Sequence, residues 1–95
     1  MNTNTKKQIL EKGFDACMQN HLCGNYISMS DIQGLESSDI EWRVDSEKSA
    51  FIAFTEYGTY SYNYDFDSSF DDNLAGFVDE LRDFLYTELA NEGVQ

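Results

Sequence analysis

The last third of the chain carries the pattern that most restricts its fold. Phe70, Leu74, Phe77, Val78, Leu81, Leu85 and Leu89 recur at spacings of three and four, an apolar stripe over about five helical turns. Ser68 or Ser69 is placed to cap this helix, and Asp71 and Asp72 fall in its first turn, where the helix dipole favours anions. Gly93 lies near its end. A helix with one apolar face is stable only when that face is buried against another layer.

The upstream sequence supplies that layer. From Asp39 the period is two: Ile40, Trp42 and Val44 alternate with Glu41, Arg43 and Asp45, the mark of a strand with one face buried. Ser46, Glu47 and Lys48 suit a hairpin turn. Ala50–Glu56 is apolar on both faces and reads as a central strand, and Gly58 marks a second turn. Thr59–Phe66 alternates again, with Tyr60, Tyr62, Tyr64 and Phe66 on one side and Thr59, Ser61, Asn63 and Asp65 on the other. Such short connections make the strands antiparallel. Asn25–Met29 is a candidate edge strand, and Ser30 to Ser38 reads as a loop.

An N-terminal helix is expected over residues 5–22, with Ile9, Leu10, Phe14, Cys17, Met18 and Leu22 on its apolar face. Thr5 and Gln8 match a capping box, and Gly24 suits the C-terminal cap. Gly13 costs about 1 kcal/mol relative to Ala at such a position. The expected architecture is α+β: an N-terminal helix, a three- or four-stranded antiparallel sheet and a C-terminal amphipathic acidic helix. Both helices should cover one sheet face. At 95 residues this is one domain, 1–95.

Charge narrows the function further. Acids outnumber Lys and Arg by 18 to 6, a net −12, which excludes direct nucleic-acid binding and disfavours anionic membranes. Residues 1–30 carry a net +1 and residues 31–95 a net −13. On the C-terminal helix Asp72, Asp79 and Asp83 fall within about 40° of one another, opposite the apolar stripe, with Glu80 flanking them. Asp65, Asp67 and Asp71 form an acidic corner at the helix start. A merely solvated helix mixes charge signs, because like pairs at i,i+4 repel; here only Arg82 interrupts the series. A single-sign face suits a basic partner. The spacing permits mimicry of a phosphate backbone without fixing a register: carboxylates four residues apart on a helix are about 6 Å apart, whereas phosphates on one strand rise about 3.4 Å per step.

Tyr57, Tyr60, Tyr62, Tyr64, Phe66 and Phe70 cluster within 14 residues. The 60/62/64 set reads as a strand face packed on a helix, and Trp42 as core. Tyr57, beside a turn, is expected to be the most exposed and a possible interface anchor.

Catalytic and metal signatures are weak. Cys17 and His21 share a helix face and Cys23 follows, but a structural zinc needs four ligands and no second Cys/His pair exists. Asp65-x-Asp67-x-Ser69 fits the first positions of a calcium loop, yet Phe70 stands where Gly is needed and Gly76 where Glu is needed. Neither a phosphate-binding Gly-rich loop nor a nucleophile elbow occurs. No enzyme activity and no cofactor are expected. The two cysteines are expected to remain thiols. With no apolar leader in Met1–Lys7 and no spanning segment, the expected location is the cytosol.

The acidic layout of residues 39–95, together with the element order, resembles the small acidic inhibitors that phages and plasmids use against host nucleic-acid enzymes, the DNA-mimic anti-restriction and anti-CRISPR proteins. That resemblance implies an inhibitor that blocks the basic nucleic-acid groove of a defence enzyme, such as a CRISPR effector or a restriction nuclease. The near-neutral N-terminal third favours one acidic face over mimicry by the whole surface. The face would comprise Asp65, Asp67, Asp71, Asp72, Asp79, Glu80 and Asp83, with Tyr57 as anchor. Alternatives are an immunity protein against a basic nuclease toxin and a non-catalytic adaptor whose acidity serves solubility. Self-repulsion favours a monomer or weak dimer.

Overall fold

The computed structural model describes residues 2–20, 26–29 and 39–93. Its elements are α1 (Thr3–Asn20), β1 (Tyr26–Ser28), β2 (Asp39–Asp45), β3 (Ala50–Thr55), β4 (Gly58–Asn63) and α2 (Phe70–Gly93). The strands form one antiparallel sheet in the order β1-β2-β3-β4. The α+β arrangement expected from the sequence is therefore the one observed, with β3 inside the sheet and β1 and β4 at its edges.

Alternation decides which sheet face is covered. Trp42 pairs with Ala53 and Val44 with Phe51, and these residues point to the helices. Phe51 is fully buried among the rings of Trp42, Tyr62, Tyr64, Phe70 and Phe77 at centroid distances of 5.2–6.0 Å. Leu10 from α1 and Phe77, Leu81 and Leu85 from α2 complete the buried cluster. Full burial of each such side chain contributes about 1.5–3 kcal/mol. Tyr60 and Tyr62 are half-buried and Tyr64 is buried, whereas Thr59, Ser61 and Asn63 are exposed, as the alternation predicted.

The turns are built by short polar side chains. Asp45 Oδ1 accepts the backbone N–H groups of Glu47 and Lys48, at 3.1 and 3.0 Å. The first hairpin loop extends one residue beyond the expected turn, to Ser49, which holds a left-handed φ of 52°. In the second hairpin Thr55 pairs with Gly58, leaving Glu56 and Tyr57 as the turn. Gly58 has φ of 111°, a conformation that side chains other than glycine's rarely tolerate.

Several boundaries differ from expectation. Asn2, not Thr5, caps α1: its Oδ1 accepts the Thr5 N–H at 2.8 Å, and helix begins at Thr3. Asn is as strong a cap as Ser or Thr, so the polar Asn2–Asn4 stretch is drawn into one more turn. The expected end of α1 at Leu22 and its cap Gly24 lie outside the described residues, as does the Ser30–Ser38 loop. β4 stops at Asn63 rather than Phe66, because Asp65 turns the chain into α2. Gly13, read as a local cost, has a packing role: the Phe70 ring lies so close that an added Cβ would overlap it. The absent side chain lets α1 meet the start of α2.

Candidate functional site

The acidic helix face exists as a surface. Asp71, Asp72, Asp79 and Asp83 are all exposed, while Phe77, Leu81 and Leu85 on the opposite side are fully buried. Ser69 caps this helix, its Oγ accepting the Asp72 N–H at 3.0 Å; Ser68 does not. Tyr86, three residues past Asp83 and 49% exposed, shares the acidic face. Sequence reasoning passed over it, although its spacing of i+7 from Asp79 was a usable signal.

At the acidic corner the carboxylates are not equivalent. Asp65 Oδ1 accepts the Asp67 N–H at 2.9 Å and its Oδ2 accepts the Ser68 hydroxyl at 3.1 Å. Asp65 therefore shapes the turn in addition to carrying charge. Behind it sits Asn73, 1% exposed. Its Oδ1 accepts the Asp65 N–H at 2.7 Å, and its Nδ2 donates to the carbonyl oxygens of Asp65 and Ser69, at 2.9 and 2.8 Å. An amide in the i, i+4 row with Phe77, Leu81 and Leu85 was the signal for this residue, which the sequence reading missed. It ties the corner to the helix, so Asp65, Asp67, Asp71 and Asp72 belong to one rigid unit.

The two remaining predicted residues, Glu80 and Tyr57, each take part in a hydrogen bond between α2 and the last hairpin. Glu80 Oε1 accepts the Tyr60 hydroxyl at 2.7 Å, and Glu92 Oε2 accepts the Tyr57 hydroxyl at 3.1 Å. Tyr57 is consequently half-buried and packed against the core. Expected to be the exposed member of its aromatic cluster, Tyr57 is half-buried instead, its hydroxyl reaching Glu92 at the end of α2. Among the described residues the exposed large apolar side chains are Tyr26, Phe54 and Tyr86. Tyr26 and Phe54 both flank Glu41 in the register, on the sheet face that the helices leave open.

Burial, followed by the hydrogen bond and charge of Glu80 and the charge of Asp83, pushes the Tyr60 phenol up to about 12. Burial and nearby carboxylates also raise Tyr62 and Tyr64. These tyrosines therefore remain neutral donors at neutral pH. Burial and the Asp71 charge raise the half-buried Cys17 thiol, which lowers its thiolate fraction and its reactivity. His21 and Cys23 lie outside the described residues. Among the described residues no group of three or more His, Cys, Asp or Glu is arranged to hold a metal, and no helix is long and apolar enough to cross a membrane.

What the arrangement offers chemically is an anionic surface that carries the exposed ring of Tyr86. No family model, no curated protein and no solved structure matches this chain.

Proposed function

We propose that the protein is an acidic, non-catalytic inhibitor, acting in the cytosol, that occupies the basic nucleic-acid-binding groove of an enzyme such as a CRISPR effector or restriction nuclease. The observation that carries this reading is the exposed Asp72, Asp79 and Asp83 row, opposite the buried Phe77, Leu81 and Leu85 and continuous with a corner held rigid by Asn73. A preorganised face of one sign steers association with a basic groove and costs little ordering entropy on binding. Proteins that bind nucleic acid present such grooves.

The test is capture on the tagged chain from bacterial lysate, with stepped salt elution and identification by mass spectrometry. A nuclease, helicase or CRISPR effector that elutes with salt, and that nucleic acid displaces, supports the reading. Replacing Asp72, Asp79 and Asp83 together by Asn should then weaken binding about tenfold or more. Recovery of no basic partner, or equal affinity of the triple variant, overturns it.

A further inference from the structure

A groove of about 380 Å³ opens between α2 and the edge strand β4, lined by Tyr60, Glu80, Asp83, Phe84, Thr87 and Glu88. The rings of Tyr60 and Phe84 lie 5.2 Å apart between centroids, with their planes inclined by 37°, and together make its aromatic wall. Three carboxylates border those rings, and no basic side chain is among the lining residues. Glu80 is held in place through one oxygen by the Tyr60 hydroxyl, so part of the carboxylate geometry is set before any ligand arrives.

Charge and shape together select an occupant. An anion is repelled. A purely apolar group would strip water from carboxylates without replacing it. A cation with flat, weakly hydrated faces meets both requirements, because it can lie on an aromatic ring and still donate hydrogen bonds in its own plane. Guanidinium has this form, with donors arranged in a fork that matches a carboxylate; an ammonium is compact and strongly hydrated.

We propose that this groove receives an arginine side chain of a partner protein, stacked against Tyr60 and Phe84 and paired with the carboxylates of Glu80, Asp83 or Glu88. The inference rests on the reading of α2 as a face for a basic protein, and adds the residue type that docks there. Thr87 sits within the groove and is exposed, so a long side chain placed at this position competes for the same space without entering the core.

Isotope-labelled chain titrated with Nα-acetyl-arginine amide and, separately, with Nα-acetyl-lysine amide provides the test by NMR. Saturable shifts centred on Tyr60, Phe84, Thr87 and Glu88 are expected, with the arginine probe binding about threefold more tightly than the lysine probe. Thr87→Arg should abolish the saturable response while the thermal melt stays cooperative. Glu80→Gln, which keeps the side-chain shape, should weaken it. Equal affinity for the two probes, equal shifts at Asp72 and Asp79 toward the other end of the helix, or undiminished binding by Thr87→Arg would overturn the proposal. Failure of the probe to bind, alongside capture of a salt-eluted basic partner, defeats this inference and leaves the inhibitor reading standing. Groove binding without any captured basic partner does the reverse.

Discussion

The two helices hold charge in different ways. On α1 two lysines are engaged across the fold, one by a carboxylate and one by an aromatic ring. Lys7 pairs with Glu47 at 3.0 Å, and Lys6 stands 5.3 Å from the Phe66 ring centroid. On α2, Glu80 and Glu92 accept hydrogen bonds from tyrosine hydroxyls. A neutral donor orients a carboxylate without cancelling its charge, whereas an ion pair does both. Near α1 the protein uses charge for local attachment. Along α2 it orients Glu80 and Glu92 through neutral tyrosine donors, which leave the charge of those two carboxylates in place.

The largest expected effect tests whether α2 is anchored by neutral hydrogen bonds. Asn73→Ala removes a buried amide that satisfies several backbone groups at the acidic corner and should cost about 2–4 kcal/mol, read from urea unfolding. Gly13→Ala follows, at the point where the two helices touch. Overlap with Phe70 should outweigh the gain in helix propensity and leave a net loss of about 1–2 kcal/mol, measured in the same way.

The comparison of the helices is sharpened by salt. Replacing Asp79 and Asp83, an i,i+4 pair, together by Asn should raise stability by about 0.2–0.5 kcal/mol at low salt, and the gain should shrink as salt screens the repulsion. Lys7→Gln should lose less than about 1 kcal/mol, also diminishing with salt, because its pair is largely solvated. Opposite signs at low salt, converging at high salt, are the expected result in thermal melts. Identical signs would remove the distinction between the helices.

The smallest effect is alkaline. A phenol whose folded pKa is raised binds its proton more tightly in the folded state. Its stabilising contribution is thus complete below about 10 and is lost as pH climbs toward about 12 for Tyr60. Ultraviolet titration should show a late-ionising phenol near about 12. Tyr60→Phe should remove that late step and flatten the alkaline loss of stability.

The parts of the molecule that repeat were legible in the sequence. Ile40, Trp42 and Val44 announced β2, and Leu81 and Leu85 announced the buried side of α2, because a period constrains many residues at once. The acidic row was legible for the same reason. What escaped was single polar contacts across long sequence separations: Tyr57 with Glu92, Tyr60 with Glu80, and Asn73 with the backbone at Asp65. No period marks such pairs, and Tyr57 looked exposed because its destination lies 35 residues away. Asn2 was missed because Thr5 offered an equally good local cap.

Because both helices lie on one side of the sheet, the molecule has a back. Thr59 and Ser61 on β4 and Arg43 on β2 face away from the layer that carries α2. A fluorophore or tether attached at Ser61 would therefore stand behind the sheet, clear of anything approaching the aspartate row. The chain can be immobilised from behind with its anionic front presented in a single orientation.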